Sequence, residues 1–246
     1  MFRQLSIIAI LFILTSCNNK TEDVNLQQGI KTDTTIKASQ IIFSEPQTID
    51  SSSIIIYPLI LEKTTYGGSY GSSSSGGGEK ISYWNLIFYN TETATKHLLT
   101  TKNKILIYSI NMGGSSSSSS GVWTNGINIF KDNIIYTVVS KDYNQNKSLD
   151  QDDPTYLFVS TKQGNDFRQI SPDNYNITSW EVVKGTTKII MQGQKDENGD
   201  KKFNQNDKTI PLIVDLGLNK QANETFENSY VDSLKKNLIG IWKQQK

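Results

Sequence analysis

Asp142, Asn144, Asn146, Asp150 and Asp153 stand at positions 1, 3, 5, 9 and 12 of a twelve-residue stretch, with Ser148 at position 7 and the apolar Leu149 at position 8. The pattern returns 54 residues later: Asp196, Asn198, Asp200, Asn204 and Asp207 hold the same five positions, with Lys202 at position 7 and Phe203 at position 8. Side-chain oxygens spaced this way on a curling loop, completed by the backbone carbonyl of position 7 (Ser148 or Lys202), suit a hard cation that takes six to eight oxygen ligands. Each copy offers three carboxylates, Asp142, Asp150 and Asp153 in the first and Asp196, Asp200 and Asp207 in the second. The ion these residues point to is calcium, in a structural role.

The spacing resembles that of the EF-hand calcium loop, with two departures. Position 6 is Lys147 or Lys201 where glycine is usual, and position 12 is Asp rather than Glu. The shorter Asp reaches an ion less easily with both oxygens, so the expected affinity is modest. The flanking segments are strand-like, which places the loops in β-hairpins rather than between helices. Asp and Asn also favour ordinary solvated turns, and that is the competing reading.

Other constellations are weaker. Gly67-Gly68-Ser69-Tyr70-Gly71 matches G-x-S-x-G in form, but a Gly/Ser tract supplies neither the strand before nor the helix after that a nucleophile elbow needs. His97 is the only histidine and reads as a surface or satisfied residue. Trp84, Trp123, Trp180 and Trp242 suggest a sugar-stacking platform, although packing explains each of them. An envelope hydrolase acting on glycan with paired carboxylates is the alternative function. The clustered acids fall in the Asp/Asn loops, and no other acidic pair stands out, so the chain reads as non-catalytic.

The elements that position the loops are short strands. Ile54–Leu61, Trp84–Tyr89, Ile105–Ile110, Ile134–Val139, Tyr156–Val159, Lys188–Met191 and Leu212–Val214 are rich in β-branched and aromatic residues and are bounded by Asn, Asp, Gly or Ser. Ile135–Thr155 aligns without a gap on Ile189–Thr209, with Ile135/Ile189, Lys141/Lys195, Asp142/Asp196, Asn144/Asn198, Lys147/Lys201, Gln151/Gln205, Asp153/Asp207 and Thr155/Thr209 identical. Each copy reads strand, Asp/Asn loop, strand. A third, degenerate unit has Ile54–Lys63 and Trp84–Tyr89 as its strands, with the low-complexity tract 67–78 in the loop position; a second such tract is 113–121. The fold class is therefore mostly β, with about three blade-like antiparallel repeats forming a partial propeller or open blade stack.

The succession of an Asp-x-Asn loop, Tyr156-Leu157-Phe158-Val159, Phe167-Arg168-Gln169-Ile170-Ser171-Pro172 and Trp180 resembles blades of the periplasmic Tol-system propeller proteins. It is closer still to uncharacterised lipoproteins built from such units. The resemblance covers residues 104–215 and implies a β-repeat binding or scaffold module. Closed propellers have about four to eight blades, so three units leave open a blade stack, a sandwich, or a ring completed by a partner.

Phe226, Tyr230, Leu234, Leu238 and Trp242 recur every four residues, with acidic residues early and lysines late. This predicts a C-terminal amphipathic helix over 223–246, capped by Asn223 and packed on the β body of residues 40–222.

At the other end, the apolar run Ser6–Leu14 is too short to span a bilayer and suits a signal peptide over 1–16. Leu14-Thr15-Ser16-Cys17 resembles the bacterial lipobox, which implies cleavage before Cys17 and lipidation of that residue (palmitate among its acyl chains). Cys17 is the only cysteine, so intrachain disulfides and Cys-type zinc sites are excluded. Residues 17–39 then read as the lipidated cysteine and a polar tether. The expected location is the cell envelope, lipid-anchored and facing the periplasm or the cell surface.

The chain has 246 residues, with 25 Lys and Arg against 24 Asp and Glu. Removing the signal peptide with Arg3 brings the two into balance, so charge gives no reason to expect nucleic acid as a partner. The expected partners are the membrane, through the lipid anchor, and an envelope protein or glycan.

Overall fold

The computed structural model describes residues 41–50, 52–60, 82–113 and 128–243. Cys17, the segments expected to be signal peptide and tether, Trp123, the G-x-S-x-G match and most of both Gly/Ser tracts lie outside the described residues.

The described chain is mostly β, with thirteen strands in antiparallel sheets followed by one helix. The strands fall into three consecutive meanders. The first runs from β1 (Ile42–Phe43) and β2 (Gln47–Thr48), which share one edge of β3 (Ile54–Ile60), to β4 (Tyr83–Asn90) and β5 (Lys96–Leu98). The second is β6 (Leu106–Asn111), β7 (Asn133–Val139), β8 (Tyr156–Thr161) and β9 (Arg168–Gln169). The third is β10 (Tyr175–Val182), β11 (Lys188–Lys195), β12 (Lys208–Asp215) and β13 (Asn223–Glu224). A single pair, Tyr83 with Ile107, links the first meander to the second. Among the described residues the sheets do not close into a barrel.

Burial explains the order of the three. Successive side chains of a strand point to opposite faces. In β7, Ile134, Tyr136 and Val138 join the core shared with Ile54, Ile56, Leu86 and Phe88 of the first meander. Its neighbour Ile135 joins Leu157, Val159 and Ile170 in the core shared with Ile177, Ile189, Met191 and Leu212 of the third. The middle meander is thus covered on both faces, and β8 is buried almost end to end. The outer meanders alternate: β11 reads exposed and buried in turn from Lys188 to Gly193. That alternation belongs to sheets with one face on a core and the other in water.

Each of the seven segments expected to be strands contains one, although Ile105 precedes β6 and Leu61 lies outside the described residues. The long loops of the two repeat copies occupy the same place, between the second and third strands of a meander, and the degenerate unit has its Gly/Ser tract between β3 and β4.

The C-terminal helix is α1 (Asn228–Lys243). It begins later than expected because Asn223 pairs with Ile213 in β13, so this residue continues the sheet instead of capping the helix. The first helical N–H groups, those of Tyr230 and Val231, donate to the carbonyl of Glu227. The apolar stripe is not buried on the β body as its spacing suggested: Tyr230 is 51% exposed, Leu234 45%, Leu238 57% and Trp242 68%.

Candidate metal centre

Both loops close wide hairpins, the first between β7 and β8 and the second between β11 and β12. Their interiors are built from one set of turns. The position 1 carboxylate accepts the backbone N–H of position 6 in each: Lys147 to Asp142 Oδ2 at 2.8 Å and Lys201 to Asp196 Oδ2 at 3.0 Å. Position 3 accepts from position 5, Asn146 to Asn144 and Asp200 to Asn198, both at 2.9 Å. Position 5 accepts from position 7, Ser148 to Asn146 at 2.7 Å and Lys202 to Asp200 at 2.8 Å. Position 9 accepts from position 11, Asp152 to Asp150 at 3.0 Å and Asn206 to Asn204 at 2.9 Å. Position 12 reaches back to the N–H of position 9, at 3.2 Å for Asp153 and 2.7 Å for Asp207. Short Asp and Asn side chains fold back on their own backbone in this way.

The sharp curl falls where the spacing put it. Positions 4 and 6 are left-handed in both copies: Gln145 and Lys147 at φ 62° and 73°, Gly199 and Lys201 at φ 72° and 61°. A lysine in this region costs about 1 to 2 kcal/mol relative to its normal backbone. The N–H bonds to Asp142 and Asp196 hold it there. A strained lysine thus makes the left-handed turn at position 6 in both copies.

Position 8 differs between the copies. Leu149 is buried beside Leu106, Val139 and Tyr108 and pins the first loop to its own meander. Burial, and then the charges of Asp150 and Asp153, push the Tyr108 phenol up to about 12. Phe203 is only half-buried, and its ring packs on Tyr143 of the first loop at 5.2 Å between centroids. The same Tyr143 donates its hydroxyl to Asp196 Oδ2 at 3.2 Å, and Lys201 Nζ reaches Gln145 Oε1. The two loops thus touch through three contacts. Sequence reasoning missed Tyr143 and Gln145, since positions 2 and 4 supply no ligand and nothing in a one-dimensional repeat says which loop lies against which.

The position 12 carboxylates are the buried ones, Asp153 at 3% exposure and Asp207 at 6%. Burial holds the Asp153 carboxyl above its ordinary value, against the N–H bonds from Asp150, Tyr143 and Asn144, which pull it down. Asp207 Oδ1 has no hydrogen-bond partner among the described residues. Leaving such an oxygen buried and unsatisfied costs on the order of 1 to 3 kcal/mol, more when it is charged.

Asp142, Asn144, Ser148 and Asp150 are partly buried, as are Asp196 and Asn204, while Asn146, Asn198, Asp200 and Lys202 are exposed. The carboxylates of each loop line its turn without converging: among the described residues no three His, Cys, Asp or Glu groups are gathered as a ready metal cluster. A carboxylate has about four lone-pair sites, so those that accept N–H bonds keep capacity for an ion. The donor set is all oxygen and includes a buried unpaired carboxylate oxygen, which fits a hard cation.

The other sequence candidates are dispersed. His97 is exposed and stacks on Phe88 at 5.6 Å. Trp180 packs against the core shared by the second and third meanders, Trp84 lies on β4, and Trp242 lies on α1. A cleft of about 310 Å³ beside Trp180 is lined by Thr137, Thr155, Tyr156, Thr178 and Ser179, and no carboxylate lines it. Comparison of the chain with protein-family models, with curated proteins and with solved structures finds no match.

Proposed function

We propose that this chain is a cell-envelope lipoprotein, anchored through Cys17, whose blade-like β repeats form a calcium-stabilised, non-catalytic binding or scaffold module. The observation that carries the reading is the pair of loops in which five turn hydrogen bonds recur at matching positions, with a strained lysine at the same place in each. Asp142, Asn144, Asn146, Ser148, Asp150 and Asp153 are the ligand positions of the first loop. Asp196, Asn198, Asp200, Lys202, Asn204 and Asp207 are those of the second. Ser148 and Lys202 would act through their carbonyls.

Calcium should raise the melting temperature at millimolar levels. Extracellular sites of this kind bind at about 10⁻⁴ to 10⁻³ M. With free ion tenfold above the dissociation constant, each filled site adds roughly 1.4 kcal/mol if the unfolded chain does not bind. Magnesium should do less, because it demands a tight octahedron and keeps its waters. The check is a thermal melt in chelator, calcium and magnesium. Equal melting temperatures in chelator and in excess calcium would return the loops to plain polar turns.

Anchoring has its own test. Cys17→Ala should move the protein from the membrane fraction to the soluble fraction, because no helix among the described residues is long and apolar enough to cross a membrane. Retention of the variant in salt-washed membranes would remove the lipoprotein reading.

A further inference from the structure

The two loops repeat in sequence, yet they differ where the ion would be held. In the first loop both oxygens of the position 12 carboxylate accept backbone N–H groups. Asp153 Oδ2 accepts from Asp150 N, and Oδ1 reaches across the loop to the N–H groups of Tyr143 at 2.8 Å and Asn144 at 3.4 Å. In the second loop Asp207 Oδ2 keeps the matching bond from Asn204 N at 2.7 Å. Its Oδ1, the counterpart of the oxygen that crosses the first loop, has no partner, although the residue is 6% exposed. One loop has satisfied its buried carboxylate with its own backbone. The other leaves a buried carboxylate oxygen that no donor among the described residues answers, which a bound cation would do.

Asp196 is also held differently from Asp142. Gly199 N–H donates to its Oδ1 at 2.7 Å and Lys201 N–H to its Oδ2. The Tyr143 hydroxyl, from the other loop, adds a third bond to Oδ2 at 3.2 Å.

We propose that the second loop is the ion site of the pair, and that the first loop, closed on its own N–H groups, is the platform against which it is ordered, with Tyr143 as the positioning residue for Asp196. The inference rests on the calcium reading and adds to it an order of affinity and a coupling between loops. A donor that orients a ligand without touching the ion typically contributes tenfold or more to affinity. The sequence offered no such distinction, because the five oxygen positions of the two copies look interchangeable.

The test is a calcium titration by calorimetry on the full chain, in wild type, Asp207→Asn, Asp153→Asn and Tyr143→Phe, with a melt of each in chelator. The expected result is one stronger binding event in the wild type, lost in Asp207→Asn and kept in Asp153→Asn. Tyr143→Phe keeps the ring on Phe203 and removes only the hydroxyl. It should weaken binding about tenfold while the melting temperature in chelator stays near that of the wild type. If Asp153→Asn does not fold, Asp150→Asn puts the same question to the first loop. Two equal events, loss in the first-loop variant with retention in Asp207→Asn, or unchanged affinity in Tyr143→Phe would overturn the inference and leave the calcium reading standing. Absence of any calcium heat in the wild type would overturn both.

Discussion

Gly164→Ala should lower the free energy of unfolding by about 3 kcal/mol. Gly164 lies in the turn between β8 and β9, with its N–H on the carbonyl of Thr161 at 2.9 Å. Its φ is +79°, and a Cβ there would lie 2.5 Å from Phe88 Cδ2 and 2.6 Å from Cε2. Phe88 is 1% exposed, set among Ile54, Ile56, Leu86 and Tyr136, so the ring has nowhere to retreat. Two costs add: about 1 kcal/mol or more for alanine in the left-handed region, and about 1 to 3 kcal/mol for overpacking. Gly185 separates them. Its φ is +72°, but nothing lies within 4 Å of a Cβ built there, so Gly185→Ala should show the backbone cost alone. Urea melts of the two variants measure the difference. Equal losses would mean that the second meander's turn can shift away from the first at little cost.

Gly164 also marks the limit of what the sequence carried. The buried strands were legible because they are apolar and β-branched: Ile134–Val139 and Tyr156–Val159 are covered on both faces, and their composition says so. The β10 strand (Tyr175–Val182) was not recognised as a strand, since only Tyr175 and Ile177 are buried and its outward residues are Asn, Thr, Ser and Glu. The two-residue strands β1, β2, β9 and β13 fall below any periodic signal. The loops were legible as a repeat because eight residues recur at one offset, and five turn hydrogen bonds recur with them. What lies between elements was not legible. The Tyr143 hydroxyl on Asp196, the Gly164 turn on Phe88 and the exposed stripe of α1 depend on which surfaces meet, and amphipathic spacing in α1 looks the same whether or not anything covers it.

Asp153→Ala should cost about 2 kcal/mol in chelator, while Asp207→Ala should cost less than half as much. Residue type, loop position and burial are the same at the two sites, so the difference tests the hydrogen bonds. Asp153 accepts three backbone N–H groups, from Tyr143, Asn144 and Asp150, and truncation strands all three. Hydrogen bonds to a charged group contribute about 1.5 to 3 kcal/mol each, less here because the three donors are only half-buried and water can reach them. Asp207 gives up one bond, from Asn204, and its truncation also removes an unsatisfied oxygen, so loss and relief offset each other. In excess calcium the order should reverse for the ion's contribution: Asp207→Ala loses the calcium increment and Asp153→Ala keeps it. Acid adds a check with a definite sign. Burial raises the Asp153 pKa above the ordinary value of 3.8, so at neutral pH its ionised form weighs against the fold. As the pH falls through the raised value, the folded protein takes up a proton that the unfolded chain does not yet bind, and this group's contribution to stability increases. Asp173 runs the other way: the hydrogen bond from Lys141 depresses its pKa, and its stabilisation is lost only as the pH falls through that lower value. Asp153→Asn removes the first titration and leaves the second. The stability of the wild type relative to Asp153→Asn should therefore grow in urea melts as the pH falls from neutrality toward the ordinary carboxyl value of 3.8, and a gap that shrank over that range would mean that the N–H bonds, not burial, govern the carboxyl.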